Sequence, residues 1–166
     1  MLNNVPREFI VFAGLLAVPA VAGLPSQPKP APVKKNDPRL SRLREFFEAR
    51  ARPLRNLEAD FVAAADHNGL DWRLLPSISI VESGGGRDYR NNNIFGWNSG
   101  NDSFPSIRAA IHTIAAKLGT SKLYRNKDLD QILKTYNSRP EYAVRVKAIM
   151  LTIGAQDMVA AIAALN

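Results

Sequence analysis

From Arg39 to Asn166 the apolar side chains recur three and four residues apart, and no run alternates with period two for long enough to build a sheet. That spacing confines the chain to a mainly α fold with little or no β-sheet. Leu40, Leu43, Phe46 and Phe47 mark one stripe, and Leu54, Leu57, Phe61 and Ala65 mark a second after Pro53. Ile107, Ala110, Ile111, Ile114, Ala115 and Leu118 form a third, with Ser106 placed to cap it. Leu129, Ile132, Leu133 and Tyr136 form a fourth, and Tyr142, Val146, Ile149, Met150 and Ile153 a fifth. Ser138 and Glu141 have the S-x-x-E spacing of a capping box with Pro140 in the first turn, and Gly154 reads as the stop of that helix. Met158 to Leu165 is expected to pack back as a last helix.

The residues before Arg39 have a different character. Phe9 to Leu24 holds no charge over 16 residues, follows Arg7 and ends near the small-x-small triplet Ala20-Val21-Ala22, the layout of a secretory signal peptide over residues 1–22. At about 24 Å as a helix it falls short of a bilayer core of roughly 30 Å, and Pro19 interrupts it. A retained N-terminal membrane anchor is the alternative for the same stretch. Residues 25–38 contain five prolines in 14 positions and read as a tether, part of a linker at 23–38. The domain proper is then 39–166, 128 residues, enough for one core.

The chain has no cysteine, which excludes a disulfide scaffold, a zinc ribbon, an iron–sulfur site and a cysteine nucleophile. His67 and His112 form no H-x-x-x-H pair, so neither a metal nor a cofactor is expected. The net charge of +7 favours an anionic partner: nucleic acid, anionic lipid or a wall polysaccharide. That charge is unevenly placed, at +4 over residues 23–60, −2 over 61–103 and +5 over 104–166. A nucleic-acid site would set its positive stripe over the aromatic and glycine-rich segment, yet that segment is the acidic one, so no nucleic-acid partner is expected.

Residues 71–97, DWRLLPSISIVESGGGRDYRNNNIFGW, carry the candidate chemistry. Asp71 can cap a helix that Leu74, Leu75, Ile78, Ile80 and Val81 make apolar on almost every side, hence buried. Pro76 lies inside this pattern, so the regular helix is expected to begin there. Glu82 stands alone as a charge at the far end, before Ser83 and three glycines. Desolvation and the negative end of the helix dipole both disfavour its carboxylate, and a carboxylic acid kept protonated is a proton donor of the kind glycosidic cleavage requires. The alternative is a Glu that caps the helix end or pairs with Arg87 or Arg90. Gly84, Gly85 and Gly86 can let backbone approach a ligand, Asn91, Asn92 and Asn93 offer amides for hydroxyl and N-acetyl groups, and Phe95 and Trp97 flank Gly96 with faces suited to a sugar ring. Ser83 reads as a hydrogen-bonding residue that shapes the surroundings of the acid.

Three segments in order, IVESGGG at 80–86, NNIFGW at 92–97 and YNSRPEYAVRV at 136–146, resemble the endo-β-N-acetylglucosaminidases of glycoside hydrolase family 73, and more broadly the lysozyme-like group that includes the soluble lytic transglycosylases. The resemblance spans roughly Leu57 to Met150. It implies a lysozyme-like helical domain with an active-site cleft, Glu82 as catalytic acid, and Asn93, Phe95 and Gly96 in the segment lining the cleft. Tyr136 matches the tyrosine near the acid and Tyr142 a packed one ahead of the last core helix. The implied substrate is the glycan strand of peptidoglycan, cut at a β-1,4 bond between N-acetylated amino sugars by an exported, monomeric enzyme. Substrate-binding residues are then Ser83, Asn93, Phe95, Gly96, Trp97 and Tyr136.

The stretch after F-G is shorter here than in many of those relatives: only Trp97 to Phe104 precedes the helix opened by Pro105. Asp102 is its one acid and Asp88 the other nearby candidate for a second carboxylate; both also suit turns. Without a second acid, an N-acetyl or 6-hydroxyl group of the substrate can serve as nucleophile. Hydrolysis, lytic transglycosylation and non-catalytic wall binding therefore all stand as readings.

Overall fold

A computed structural model describes residues 31–163, with side chains as far as Gly154. The apolar leader at 9–24, the tether up to residue 30 and Leu165 lie outside the described residues. Among the described residues there are six α-helices and no strand, so the domain is mainly α. The last part of the tether turns at Lys34 to Asp37, with Asp37 N donating to Lys34 O at 3.0 Å, and Val33 packs on the core.

Helix α1, Pro38–Arg50, starts where a cap and a proline coincide: the Asp37 carboxylate accepts from Arg39 N, and Pro38 takes a first-turn position whose missing N–H is not needed. It buries Leu43, Phe46 and Phe47. The second predicted stripe is split. Leu54 belongs to a 3-10 turn, Arg52–Leu54, and Asn56 takes a left-handed φ of +68° before α2 begins, Glu58–His67. Pro53 and that reversal stop one helix from spanning both halves. The two helices meet through Phe47 and Phe61, whose ring centroids are 5.3 Å apart.

Helix α3, Leu74–Ser83, is the buried centre; Leu74, Leu75 and Ile78 are at most 1% exposed. It begins two residues before Pro76, because a proline in the first turn lacks only an N–H that has no partner there. Asp71 caps the preceding turn rather than the helix, accepting from Arg73 N and pairing with the Arg73 guanidinium at 2.6 Å. Helix α3 packs against α2 and against the last helix, while α2 also packs on α1 and α4.

Helix α4, Ile107–Thr120, is capped as its sequence indicates, with Ser106 Oγ accepting from Ala109 N at 3.1 Å. Ser106→Ala is expected to destabilise the domain by about 1 kcal/mol. A denaturant midpoint lowered at unchanged slope checks this, and an unmoved midpoint shows that the cap is dispensable. Helix α5, Leu129–Tyr136, opens on a capping box the sequence reading missed, between Asp128 and Gln131.

Helix α6, Pro140–Ala163, differs from expectation at both ends. The predicted box at Ser138 and Glu141 is out of register: Tyr142 N donates to Arg139 O, and Asn137 Oδ1 accepts from Arg139 N. Gly154 does not stop the helix, which continues so that Met158 to Ala163 extends α6 instead of forming a separate element. A mid-helix glycine costs only about 1 kcal/mol. Here the absent side chain makes room for Arg73, whose Nη1 would lie 2.9 Å from a Cβ at that position.

Candidate active site

The site grows from the end of α3. Gly84 takes the left-handed conformation that terminates a helix, its N–H reaching Ile80 O while Gly85 N reaches Ser79 O, both at 3.0 Å. The next two glycines serve packing rather than ligand approach: a Cβ on Gly85 would lie 2.5 Å from Ala51 Cβ, and one on Gly86 3.1 Å from Leu54 Cδ2. Glu82 thereby lies on the last turn of a buried helix, three residues before a glycine packed on Ala51, the residue that caps α1.

A second loop brings Gly96 to Glu82. Asn92 Nδ2 donates to Phe104 O and Phe104 N to Asn91 O, which closes the base of the loop. Asn93, 4% exposed, spends its amide on the same loop: Nδ2 donates to Trp97 O and Asp102 O, and Oδ1 accepts from Trp97 N. Ile94 and Phe95 are fully buried anchors. Gly96 then turns at φ +60° and lies so close to the acid that a Cβ would stand 2.6 Å from Glu82 Oε2. Nine of the twelve left-handed residues described fall between Gly84 and Gly100; five are glycines, which adopt that conformation freely, and the other four are Asn91, Asn92, Asn98 and Ser99, in the loop that carries Gly96.

Aromatic rings continue from the acid. Tyr142 and Tyr136 stack at 5.7 Å and 9°, Trp97 meets Tyr136 edge-on at 5.6 Å, and Tyr124 lies 6.0 Å from Trp97. Tyr136 donates its hydroxyl to Phe95 O at 2.5 Å, tying α5 to the Gly96 turn. Burial pushes both Tyr136 and Tyr142 far above the ordinary phenol range and Tyr124 up to about 12, so all three stay neutral.

Burial likewise raises the pKa of Glu82, with the Tyr142 hydroxyl and the Arg145 charge acting in the opposite direction. The Tyr142 hydroxyl is buried and closes no hydrogen bond of normal geometry, so its influence on the acid is one of proximity. The cation that acts on Glu82 is Arg145, itself exposed and one turn after Tyr142 on α6, rather than Arg87 or Arg90. Sequence reasoning missed Arg145, although its three-residue spacing from Tyr142 places both on one helix face.

The predicted residues fall into two groups. Glu82, Gly96, Trp97 and Tyr136 come together. Ser83, Asn93 and Phe95 lie behind them: Ser83 Oγ donates to Ser79 O and accepts from Gly86 N, so these three frame the site instead of facing outward. Asp102 accepts from Asn98 Nδ2 at 2.8 Å and lies 3.9 Å from Lys117 Nζ, closing the turn after Trp97. Asp88 is exposed, with its backbone N–H on Ser83 O. Away from the site, His112 lies 3.4 Å from Asp60, which is also paired with Arg108. Among the described residues no group of three potential metal ligands comes together. Comparison with family models, curated proteins and solved structures found no match to this chain.

Proposed function

We propose that this domain is a glycosidase of lysozyme-like architecture that cuts a β-1,4 bond between N-acetylated amino sugars of peptidoglycan. The observation that carries the reading is Glu82: one carboxyl group at a buried helix end, its pKa raised by desolvation, set against a left-handed glycine turn and a row of aromatic rings. In this reading the protonated acid donates to the glycosidic oxygen as the bond to the anomeric carbon breaks, leaving a carboxylate that Arg145 helps to stabilise. Trp97 offers a ring face to a sugar, and Tyr136 holds the Gly96 turn at its depth.

The group that meets the developing cation is assigned to the substrate. Asp102 is engaged by Asn98 and Lys117, which favours an N-acetyl oxygen or the 6-hydroxyl as the nucleophile. Attack by the 6-hydroxyl, whose proton passes to the Glu82 carboxylate, makes the enzyme a lytic transglycosylase; attack through the N-acetyl oxygen, then by a water that gives its proton to the same carboxylate, makes it a hydrolase. The apolar leader suits export to the wall, and the net charge of +7 suits retention of a monomer on an anionic polymer.

Digestion of purified wall by the full chain, followed by mass spectrometry of the soluble fragments, tests this. The expected product carries a 1,6-anhydro end or a new reducing amino sugar. Binding to insoluble wall without any new end would replace the enzyme by a binding module, and neither binding nor product would end the proposal.

A further inference from the structure

Helix α6 is apolar on two opposite sides. Tyr142, Val146, Met150 and Ile153 belong to the core and are at most 6% exposed. Val144 and Leu151 stand on the other side, 68% and 69% exposed, with exposed Ala148 between them. Scattered surface apolar residues call for no explanation, but these three share one line along the helix. The line keeps its spacing through the rest of α6: Val144, Ala148, Leu151, Ala155, Met158 and Ile162 come alternately four and three residues apart. A period of about 3.5, sustained over that length, is the a/d seam by which one helix packs on another.

We propose that this seam is covered by α6 of a second copy of the chain, running antiparallel. Charge sets the direction. Arg145 and Lys147 flank the seam near its start, and the only charged residue after them on α6 is Asp157. Parallel helices would put these cations beside those of the other copy; antiparallel ones put them at its C-terminal turn, where the free carbonyls are negative. Side-chain size agrees. The layers then pair Val144 with Ile162, Ala148 with Met158 and Leu151 with Ala155, so that each alanine meets a longer residue. At 1.5 Å per residue the seam runs for roughly 27 Å, short of what an obligate dimer buries, so pairing is reversible and the monomer considered above is its dilute form. The N-terminal turns of α6, which bring Tyr142 and Arg145 to Glu82, then lie at opposite ends of the pair, and two linked sites hold a polymer better than one. The pairing does not depend on the glycosidase reading.

Sedimentation equilibrium of the full chain over a wide range of concentration tests this. The average mass is expected to rise from 18.3 kDa toward twice that value. Leu151→Glu, a change at an exposed position that leaves the fold in place, should weaken association at least about tenfold. Direction is read separately. The chain has no cysteine, so Glu141→Cys carries a single spin label. Two such labels stand roughly 36 Å apart along the axis of an antiparallel pair, at 1.5 Å per residue, and side by side in a parallel one. Labels in close contact overturn the antiparallel assignment. Equal association by wild type and Leu151→Glu places the contact elsewhere, and a monomer at every concentration leaves the seam without a second copy; either overturns the proposal. So does a monomer whose binding to vesicles of phosphatidylglycerol and phosphatidylethanolamine is lost in Leu151→Glu, which gives the stripe to a lipid surface.

Discussion

Glu82→Gln is expected to lower the release of glycan fragments from purified wall by at least about 100-fold, because loss of a positioned general acid removes roughly 10²- to 10⁴-fold of rate. The amide keeps the shape of the side chain and cannot donate an acidic proton. Stability should move the other way. Burial raises the folded-state pKa of Glu82 above its ordinary 4.5, so between those two values the folded chain holds a proton that the unfolded chain has released. Wild-type stability therefore falls as pH rises through that window and levels off above it. Glutamine has no charge to desolvate, so the variant should melt at or above wild type at neutral pH, and the two should converge near pH 4. Wild-type activity should fall on the alkaline side for the same reason, as the acid ionises. Equal fragment release by the two proteins ends the catalytic claim; a variant less stable than wild type at pH 7 shows that the carboxylate is not penalised where it sits.

What could be read in the sequence was what is encoded locally. The stripes of α1, α4 and α5 appear at their expected places because each sets the period of one helix, and Ser106 caps α4 through a contact three residues away. The end of α3 at the glycines was legible for the same reason. Readings that depended on distant partners went astray. Gly154 looks like a helix stop until α3 brings Arg73 across it, and Gly85 looks like a ligand-facing glycine until Ala51 is found against it. Asn93 resembles a free amide, yet every polar atom of its side chain is used by residues four and nine positions on. The aromatic row was largely legible: Tyr142, Tyr136 and Trp97 are named by the sequence, while Tyr124 joins them, and Lys117 comes over Trp97, only through the packing of α4 and the chain that follows it. Polar and glycine residues in a loop report a special backbone; which neighbour demands it is a tertiary fact.

Gly96→Ala is expected to separate activity from stability. At φ +60° an alanine costs roughly 1–2 kcal/mol wherever it is placed. Its Cβ would also stand 2.6 Å from Glu82 Oε2, closer than nonbonded atoms allow, and a tight 3.3 Å from Cδ. Those atoms are the far end of a flexible side chain, so the chain relieves the overlap by turning the carboxyl group away, and the added loss of stability stays small. The acid is then in the wrong place, and a displacement of about 1 Å at a reacting group can cost on the order of 10²-fold in rate. Gly69→Ala is the matched control: it has φ +64°, nothing within 4 Å of the added atom, and a position at the end of α2 away from the site. Both variants should lose similar stability in urea, by about 1–2 kcal/mol, while only Gly96→Ala loses fragment release. The raised pKa of Glu82 should relax toward its ordinary value in Gly96→Ala as the carboxyl turns toward water, shifting the alkaline limb of any residual activity to lower pH. Equal activity in the two variants would mean that Gly96 is required by the turn alone, and that the close approach of its backbone to Glu82 plays no part in holding the acid.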